Sequence, residues 1–169
     1  MKNNLVKTIC RNAFIAANYV VLTLAMGPLA YLPIQVRISE ALVLLCFFRK
    51  DYIWGLTLGC FIANLFSPYG WWDWVFGTLA TFVACLGICF SKHLLVATLF
   101  PVASNGFIIA LEICLQASFQ EAYWPMVGTI ALGEFISVTI LGYLLFLLLH
   151  KNERFLNIIG ANRNLDFKW

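Results

Sequence analysis

The stretch that decides the fold is residues 124–149, WPMVGTIALGEFISVTILGYLLFLLL, which carries one charged residue, Glu134. A membrane-spanning helix needs about 20 mostly apolar residues, so this segment is long enough to cross a bilayer with some tilt. Glu134 lies about ten residues from the start of the run. At ~1.5 Å per residue that is about 15 Å, close to the middle of a hydrocarbon core about 30 Å thick. An acid at that depth costs about 2.5–3.5 kcal/mol on insertion scales, so it has to face a partner or a cavity. Its bland alternative is a structural hydrogen bond to a neighbouring helix.

Five further apolar segments precede it, at 10–26, 36–48, 52–66, 72–90 and 94–115, separated by Gly27-Pro28, Arg49-Lys50-Asp51, Ser67-Pro68-Tyr69-Gly70 and the short link at Lys92. The composition agrees. The chain is 62% hydrophobic and 11% charged, whereas soluble domains carry about 25% charged residues. So few charges cannot build a water-facing surface. The expected fold is therefore an all-α membrane protein, with six transmembrane helices in one bundle and residues 1–169 forming a single membrane-embedded domain. Residues 150–169 are expected to form a short polar tail. The second and third segments are short for full spans and can pair as a hairpin without altering the sidedness of the later segments. The first segment reads as a retained helix, because apolar segments rather than a soluble domain come after it.

Lysine and arginine set the orientation. Lys2, Lys7, Arg11, Arg49, Lys50, Lys92, Lys151, Arg154, Arg163 and Lys168 all fall on one side of a six-helix arrangement. Positive charge marks the cytoplasmic side, which places both termini there in a multi-pass plasma-membrane protein. Arg37 is the exception, on the outer side, and is a candidate for specific work; otherwise it is an interfacial arginine reaching headgroups. Tyr31, Tyr69, Trp71, Trp72, Trp74, Tyr123 and Trp124 gather at the outer loops, as an interfacial aromatic belt does.

The acids obey another rule. Asp51, Glu153 and Asp166 are inner loop charges and Glu121 an outer one, but Glu40, Asp73, Glu112 and Glu134 fall within or beside helices. Asn105 and Glu112 are seven apart and share a helix face, as do Asn64 and Ser67 at a spacing of three. Asn18 and Tyr19 interrupt the first helix. Thr78 and Thr81 read as hydroxyls bonded back to their own helix. The expected lining of an outward-opening cavity is Arg37, Glu40, Asn64, Trp72, Asp73, Asn105, Glu112 and Glu134. Its excess of carboxylates suits a ligand rich in N–H donors or carrying a cation, with aromatic rings to stack on a planar system.

Several classes are excluded. The scattered bases and net charge of +3 do not form a nucleic-acid footprint. No G-x-x-x-x-G-K-[ST], H-E-x-x-H or G-x-S-x-G occurs, so ATP hydrolysis at a phosphate loop and these hydrolytic chemistries are absent. Neither a cofactor nor a metal site is indicated. The cysteines at 10, 46, 60, 85, 89 and 114 sit in or beside apolar runs and read as packing residues. Ala13 and Ala17, four apart, form a small-x-x-x-small face that suits either packing within the bundle or docking of another membrane subunit.

The run Pro33-Ile34-Gln35-Val36-Arg37-Ile38-Ser39-Glu40-Ala41-Leu42 resembles the QueT family. So do Gly59-Cys60-Phe61-Ile62-Ala63-Asn64, Ser67-Pro68-Tyr69-Gly70, Asp73, Gly77-Thr78-Leu79-Ala80-Thr81 and Gly133-Glu134. The matches extend from the first helix to the sixth. The resemblance implies the substrate-binding subunit of an energy-coupling-factor transporter that imports a queuosine precursor, a 7-deazaguanine such as preQ1 or queuine. It also implies a transmembrane coupling subunit and two ATPases as partners, with Ala13 and Ala17 facing the coupling subunit. Within that reading, Glu134 or Glu40 accepts the guanine-like edge and Asp73 pairs with the cationic aminomethyl group. Asn64 and Asn105 serve the carbonyl and ring nitrogens, and Arg37 holds Glu40 or Asp73. The alternatives are a capture subunit for another vitamin-like micronutrient and a structural membrane protein whose polar residues only pin helices. An intramembrane enzyme is disfavoured, since no nucleophile with a base is found at depth.

Overall fold

The computed structural model describes residues 2–27, 37–120 and 122–161, with side chains from residue 5 onward. The expectations for Tyr31, Glu121, Arg163, Asp166 and Lys168, for the side chain of Lys2 and for residues 33–36 lie outside these described residues. Every described segment of any length is helical. The helices are α1 (Lys2–Ala25), α2 (Ile38–Phe48), α3 (Tyr52–Asn64), α4 (Trp71–Phe90), α5 (Leu94–Gln116), α6 (Tyr123–Leu149) and α7 (Glu153–Ile159).

Four of these, α1, α4, α5 and α6, are long and apolar enough to cross a membrane. The other two apolar helices are shorter. The seven 3-10 residues Ile38–Leu44 and the four α-helical residues Leu45–Phe48 make α2 about 20 Å long at ~2.0 and ~1.5 Å per residue. The 13 residues of α3 give about the same length. Both fall short of a core about 30 Å thick. Nearly all of α2 is buried, from Ser39 to Phe48 with Leu42 half-exposed. A helix that is apolar all round belongs inside a bundle, and α2 occupies that place.

Small residues allow the close approaches. Gly59 of α3 lies against α1, where an added Cβ would sit 2.9 Å from the Ala16 carbonyl oxygen and 3.0 Å from Tyr19 Cβ. One turn away, Asn12 Oδ1 accepts a hydrogen bond from Gly55 N at 2.9 Å. Gly142 of α6 lies against α2, where a Cβ would meet Leu44 Cδ1 at 3.1 Å and Ala41 Cβ at 3.3 Å. Without a hydrophobic force between lipid-immersed helices, such contacts carry much of the packing energy.

The first residues of the expected polar tail are helical. They form α7, whose start is capped by Asn152: its side chain accepts from Arg154 N at 3.0 Å and Phe155 N at 3.2 Å. Its end is closed by Gly160 at φ +56°, with Ala161 N bonded to the Leu156 carbonyl. These are the usual signals of a helix start and stop. The helix is fastened to the bundle, because Tyr52 OH donates to the Ile159 carbonyl and Arg49 Nη1 to the Gly160 carbonyl at 3.1 Å. Arg49 Nη2 also contacts Thr8 Oγ1 at 3.1 Å and pairs with Asp51 at 2.6 Å. Thus α7 and the first turns of α1 meet at one end of the bundle.

Gly59→Ala is expected to lower unfolding stability in detergent by about 1–3 kcal/mol, the range for overpacking. Gly128→Ala, where nothing lies within 4 Å of an added Cβ, is expected to leave stability unchanged or raise it by up to about 1 kcal/mol. Equal effects of the two substitutions in thermal unfolding would show that the α1–α3 contact is not tight.

Candidate functional site

Buried polarity is concentrated between α1, α2, α3, α4, α5 and α6. Of the eight expected lining residues, seven are buried and none of these is more than 4% exposed: Arg37, Glu40, Asn64, Asp73, Asn105, Glu112 and Glu134. Trp72 differs from the rest. It is half-buried, with its ring stacked on Trp71 at 4.2 Å and on Phe76 at 5.7 Å between centroids.

Arg37 sits at the centre. Its guanidinium interacts electrostatically with Tyr19, Cys60, Asp73 and Glu40, and its charge is felt by Glu112 and Glu134 as well. Among the described residues, four buried carboxyl groups surround one buried cation. Such an arrangement holds only if protons, donors or another cation make up the difference.

Protein donors meet part of that need. Tyr19 OH donates to Glu40 Oε1, and Ser67 Oγ donates to Asp73 Oδ2. Asn64 Nδ2 spans to the Asp73 carbonyl oxygen at 3.0 Å and to Cys60 Sγ at 3.4 Å, tying the end of α3 to the start of α4. Gln116 Nε2 donates to Glu112 Oε1 at 3.3 Å. The Glu112 carboxyl in turn reaches that of Asp73. Glu134 approaches Glu40 and Asn105.

What is left over defines the chemistry the site can perform. The buried atoms Glu40 Oε2, Asn64 Oδ1, Glu112 Oε2 and Glu134 Oε2 accept no hydrogen bond, and Asn105 Nδ2 donates none. Buried polar atoms are nearly always partnered. These four acceptors and one donor come from α2, α3, α5 and α6.

Backbone irregularity aims two of these carboxylates. Glu40 lies in the 3-10 part of α2. Glu134 immediately precedes Phe135–Gly142, where α6 widens to π-helical geometry. Departures of this kind often accompany functional sites, because they turn one side chain out of the regular register.

Sequence reasoning missed several members. Tyr19 is wholly buried and engages Glu40, although it read only as an interruption of the first helix. Cys60 read as packing, yet its Sγ receives Thr81 Oγ1 at 3.1 Å and lies 3.6 Å from the Gly77 carbonyl oxygen. Thr23 and Ser39 bond at 2.7 Å and join α1 to α2 beside the cluster. The signal for Tyr19 was available: it is a phenol three residues from Ala16 on the face of α1 that meets α3. Ala13 and Ala17 are exposed, whereas Ala16 between them is buried against Gly59.

An all-helical protein with four membrane-length helices and charges sequestered between them belongs to the multi-pass membrane class, and an occluded polar centre of this kind is typical of proteins that carry small solutes. The comparison with known proteins is specific: the QueT transporter family model matches residues 9–151, and the chain belongs to that family. A curated relative, the queuosine precursor transporter QueT of Lactococcus lactis subsp. cremoris (strain MG1363), is 35% identical over 158 residues, covering 83% of this chain and 90% of the relative. No solved structure matches the chain.

Replacing Arg37 by Gln removes the one cation facing four acids. Breaking a buried charge network from one side costs about 3–5 kcal/mol, so the unfolding midpoint in detergent is expected to fall well below that of the native chain. A midpoint unchanged within error would show that Arg37 does not compensate these acids.

Proposed function

We propose that this chain is the substrate-binding membrane subunit of an energy-coupling-factor transporter and binds a queuosine precursor of the 7-deazaguanine type. The observation that carries the reading is that Glu40 Oε2, Asn64 Oδ1, Glu112 Oε2, Glu134 Oε2 and Asn105 Nδ2 are buried without a hydrogen-bond partner. A 7-deazaguanine offers ring N–H groups and an exocyclic amine as donors and a carbonyl as acceptor. In preQ1 an aminomethyl group adds a cation.

Glu134 or Glu40 takes the guanine-like edge, each offering an unpartnered Oε2, while Glu40 also accepts the Tyr19 hydroxyl at Oε1. The neighbouring Asp73 and Glu112 carboxyls suit the ammonium, since a cation between them relieves their mutual repulsion. Asn105 Nδ2 suits the ligand carbonyl. Asn64 Oδ1 suits a remaining N–H. Arg37 acts as a positioning residue, holding the acids convergent.

On the same reading α2 and α3 complete a six-segment bundle with both ends of the chain on the cytoplasmic side, where Arg11, Arg49, Lys50 and Arg154 lie. On the energy-coupling-factor reading, ATP is used by the partner ATPases, and this chain carries no phosphate-binding loop of its own. The exposed Ala13 and Ala17 suit close docking of a transmembrane coupling subunit. The Lactococcus relative, itself named as a queuosine precursor transporter, supports the choice of substrate.

Calorimetric titration of the purified chain tests the site. preQ1 is expected to bind at least tenfold more tightly than guanine. Glu134→Gln is expected to weaken preQ1 by about 10- to 100-fold, the equivalent of one charge-assisted hydrogen bond. Asp73→Asn is expected to weaken preQ1 but not 7-deazaguanine lacking the aminomethyl group. Binding that survives Glu40→Gln, Asp73→Asn and Glu134→Gln combined would remove this assignment. The docking face is tested separately. Ala13→Leu with Ala17→Leu is expected to abolish cellular uptake while leaving preQ1 affinity within twofold, and intact uptake would refute the partner assignment.

A further inference from the structure

A cavity lies at the other end of the bundle, away from the polar centre. It is a cleft of about 470 Å³ between α1, α2, α6 and α7. Its floor is apolar and fixed: Ile15, Tyr52, Phe146 and Ile159 are each 7% exposed or less. Its mouth is framed by Phe14 and Ile158, which are 70% and 72% exposed, and by Leu145. Exposed apolar rims on a membrane protein face hydrocarbon, so the cleft opens sideways into the bilayer.

One charged residue lines it, Arg11. Among the described residues Arg11 forms no ion pair. Its guanidinium is held against the turn that ends α7, where a Cβ at Gly160 would collide with it. That glycine has φ +56°, so both its backbone conformation and its lack of a side chain make room for the arginine. Lys7 lies one turn nearer the chain start, on the same face of α1. Arg49, fixed to the Gly160 carbonyl, also lies at this corner but is paired with Asp51 at 2.6 Å.

We propose that this cleft is a binding site for an anionic phospholipid, with an acyl chain lying between α1 and α6 and the phosphate held by Arg11 and Lys7. Charge complementarity argues for this occupant. A half-buried guanidinium at the polar end of an otherwise apolar, membrane-facing cleft matches an anion joined covalently to a hydrocarbon chain. A soluble phosphate would gain nothing from the apolar walls. A zwitterionic lipid brings its own cation to the arginine. Part of the site is made by α7, the helix that caps the cleft with Phe155, Ile158 and Ile159, so a bound lipid would join α1, α6 and α7.

Cys10 provides a reporter, because it lines the cleft and is exposed while the other five cysteines are buried. The experiment uses the full chain in nanodiscs containing phosphatidylglycerol or phosphatidylcholine. Two readouts are taken: maleimide labelling of Cys10, and lipid retained in native mass spectrometry after detergent extraction from an equimolar mixture. The native chain is expected to retain one phosphatidylglycerol at least fivefold more often than phosphatidylcholine, and to label at least threefold more slowly in phosphatidylglycerol. Arg11→Gln is expected to abolish both preferences, and Cys10→Trp, which fills the cleft from its rim, to abolish retention. Addition of inorganic phosphate is expected to change nothing. Equal retention of the two lipids by the native chain, an undiminished preference in Arg11→Gln, or protection of Cys10 by inorganic phosphate alone would each overturn the proposal. preQ1 affinity, measured in parallel, is expected to be unaffected by either substitution.

Discussion

Four carboxyl groups around one guanidinium, all withdrawn from water inside a lipid-covered bundle, set the terms for the rest of this structure. Neither member of such a network is stable there alone. An acid in the hydrocarbon region is costly, and the arginine is no better placed. Together they hold only where protons, donors or another cation make up the difference in charge. The helices must therefore bring Glu40, Asp73, Glu112 and Glu134 to a common centre with Arg37, and must supply enough hydroxyls and amides to hold them. Tyr19, Ser67, Asn64 and Gln116 do this from α1, from α3 and the turn after it, and from α5. The cluster is thus also the principal polar link between α1, α2, α3, α4 and α5.

That convergence demands backbones closer than ordinary side chains permit. Gly59 lets α3 reach α1 at the level of Ala16 and Tyr19, which sets the Tyr19 ring beneath Glu40. Gly142 lets the widened part of α6 lie against Ala41 and Leu44 in α2. The two irregular stretches, 3-10 in α2 and π in α6, therefore pack on one another, and each carries or adjoins a site carboxylate. A tight turn winds the chain by about 120° per residue and a wide one by less than about 100°, so each shifts the direction of a side chain without moving the helix axis. The strain is local and is offset by the contacts it permits.

The sequence made much of this legible. Length and apolarity of 124–149 identified a spanning helix, and a lone acid ten residues into it marked the interior. The seven-residue spacing of Asn105 and Glu112 correctly placed both on one buried face. Asp73, just after a Ser-Pro-Tyr-Gly turn, marked a helix start whose side chain ends buried beside Ser67. Tyr19 and Cys60 were harder, because an aromatic ring or a thiol within an apolar run reads as packing, and the hydroxyl partner of either lies on another helix. The choice of 3-10 or π winding depends on which neighbour each turn meets, which local pattern does not contain. The helix Glu153–Ile159 is a different case. Asn152 before Glu153 and Gly160 after it are readable caps, but the polar residues following a long apolar run drew attention to topology instead.

The imbalance of charge bears on selectivity under the proposed function. A site already neutral in itself would accept guanine, a 7-deazaguanine or a similar bicycle with little distinction, since shape alone separates them weakly. Here a cation placed between the Asp73 and Glu112 carboxyls would relieve their repulsion. A ligand that fills the planar part of the site but brings no ammonium leaves those carboxyls without that partner. Discrimination then arises from an unrelieved penalty against the wrong ligand as much as from a contact with the right one. The same penalty opposes any anion, which would meet four acids and only one arginine already engaged with them. On this argument, the excess of acid is the feature that lets so small a site distinguish an aminomethyl-bearing heterocycle from the far commoner bases it resembles.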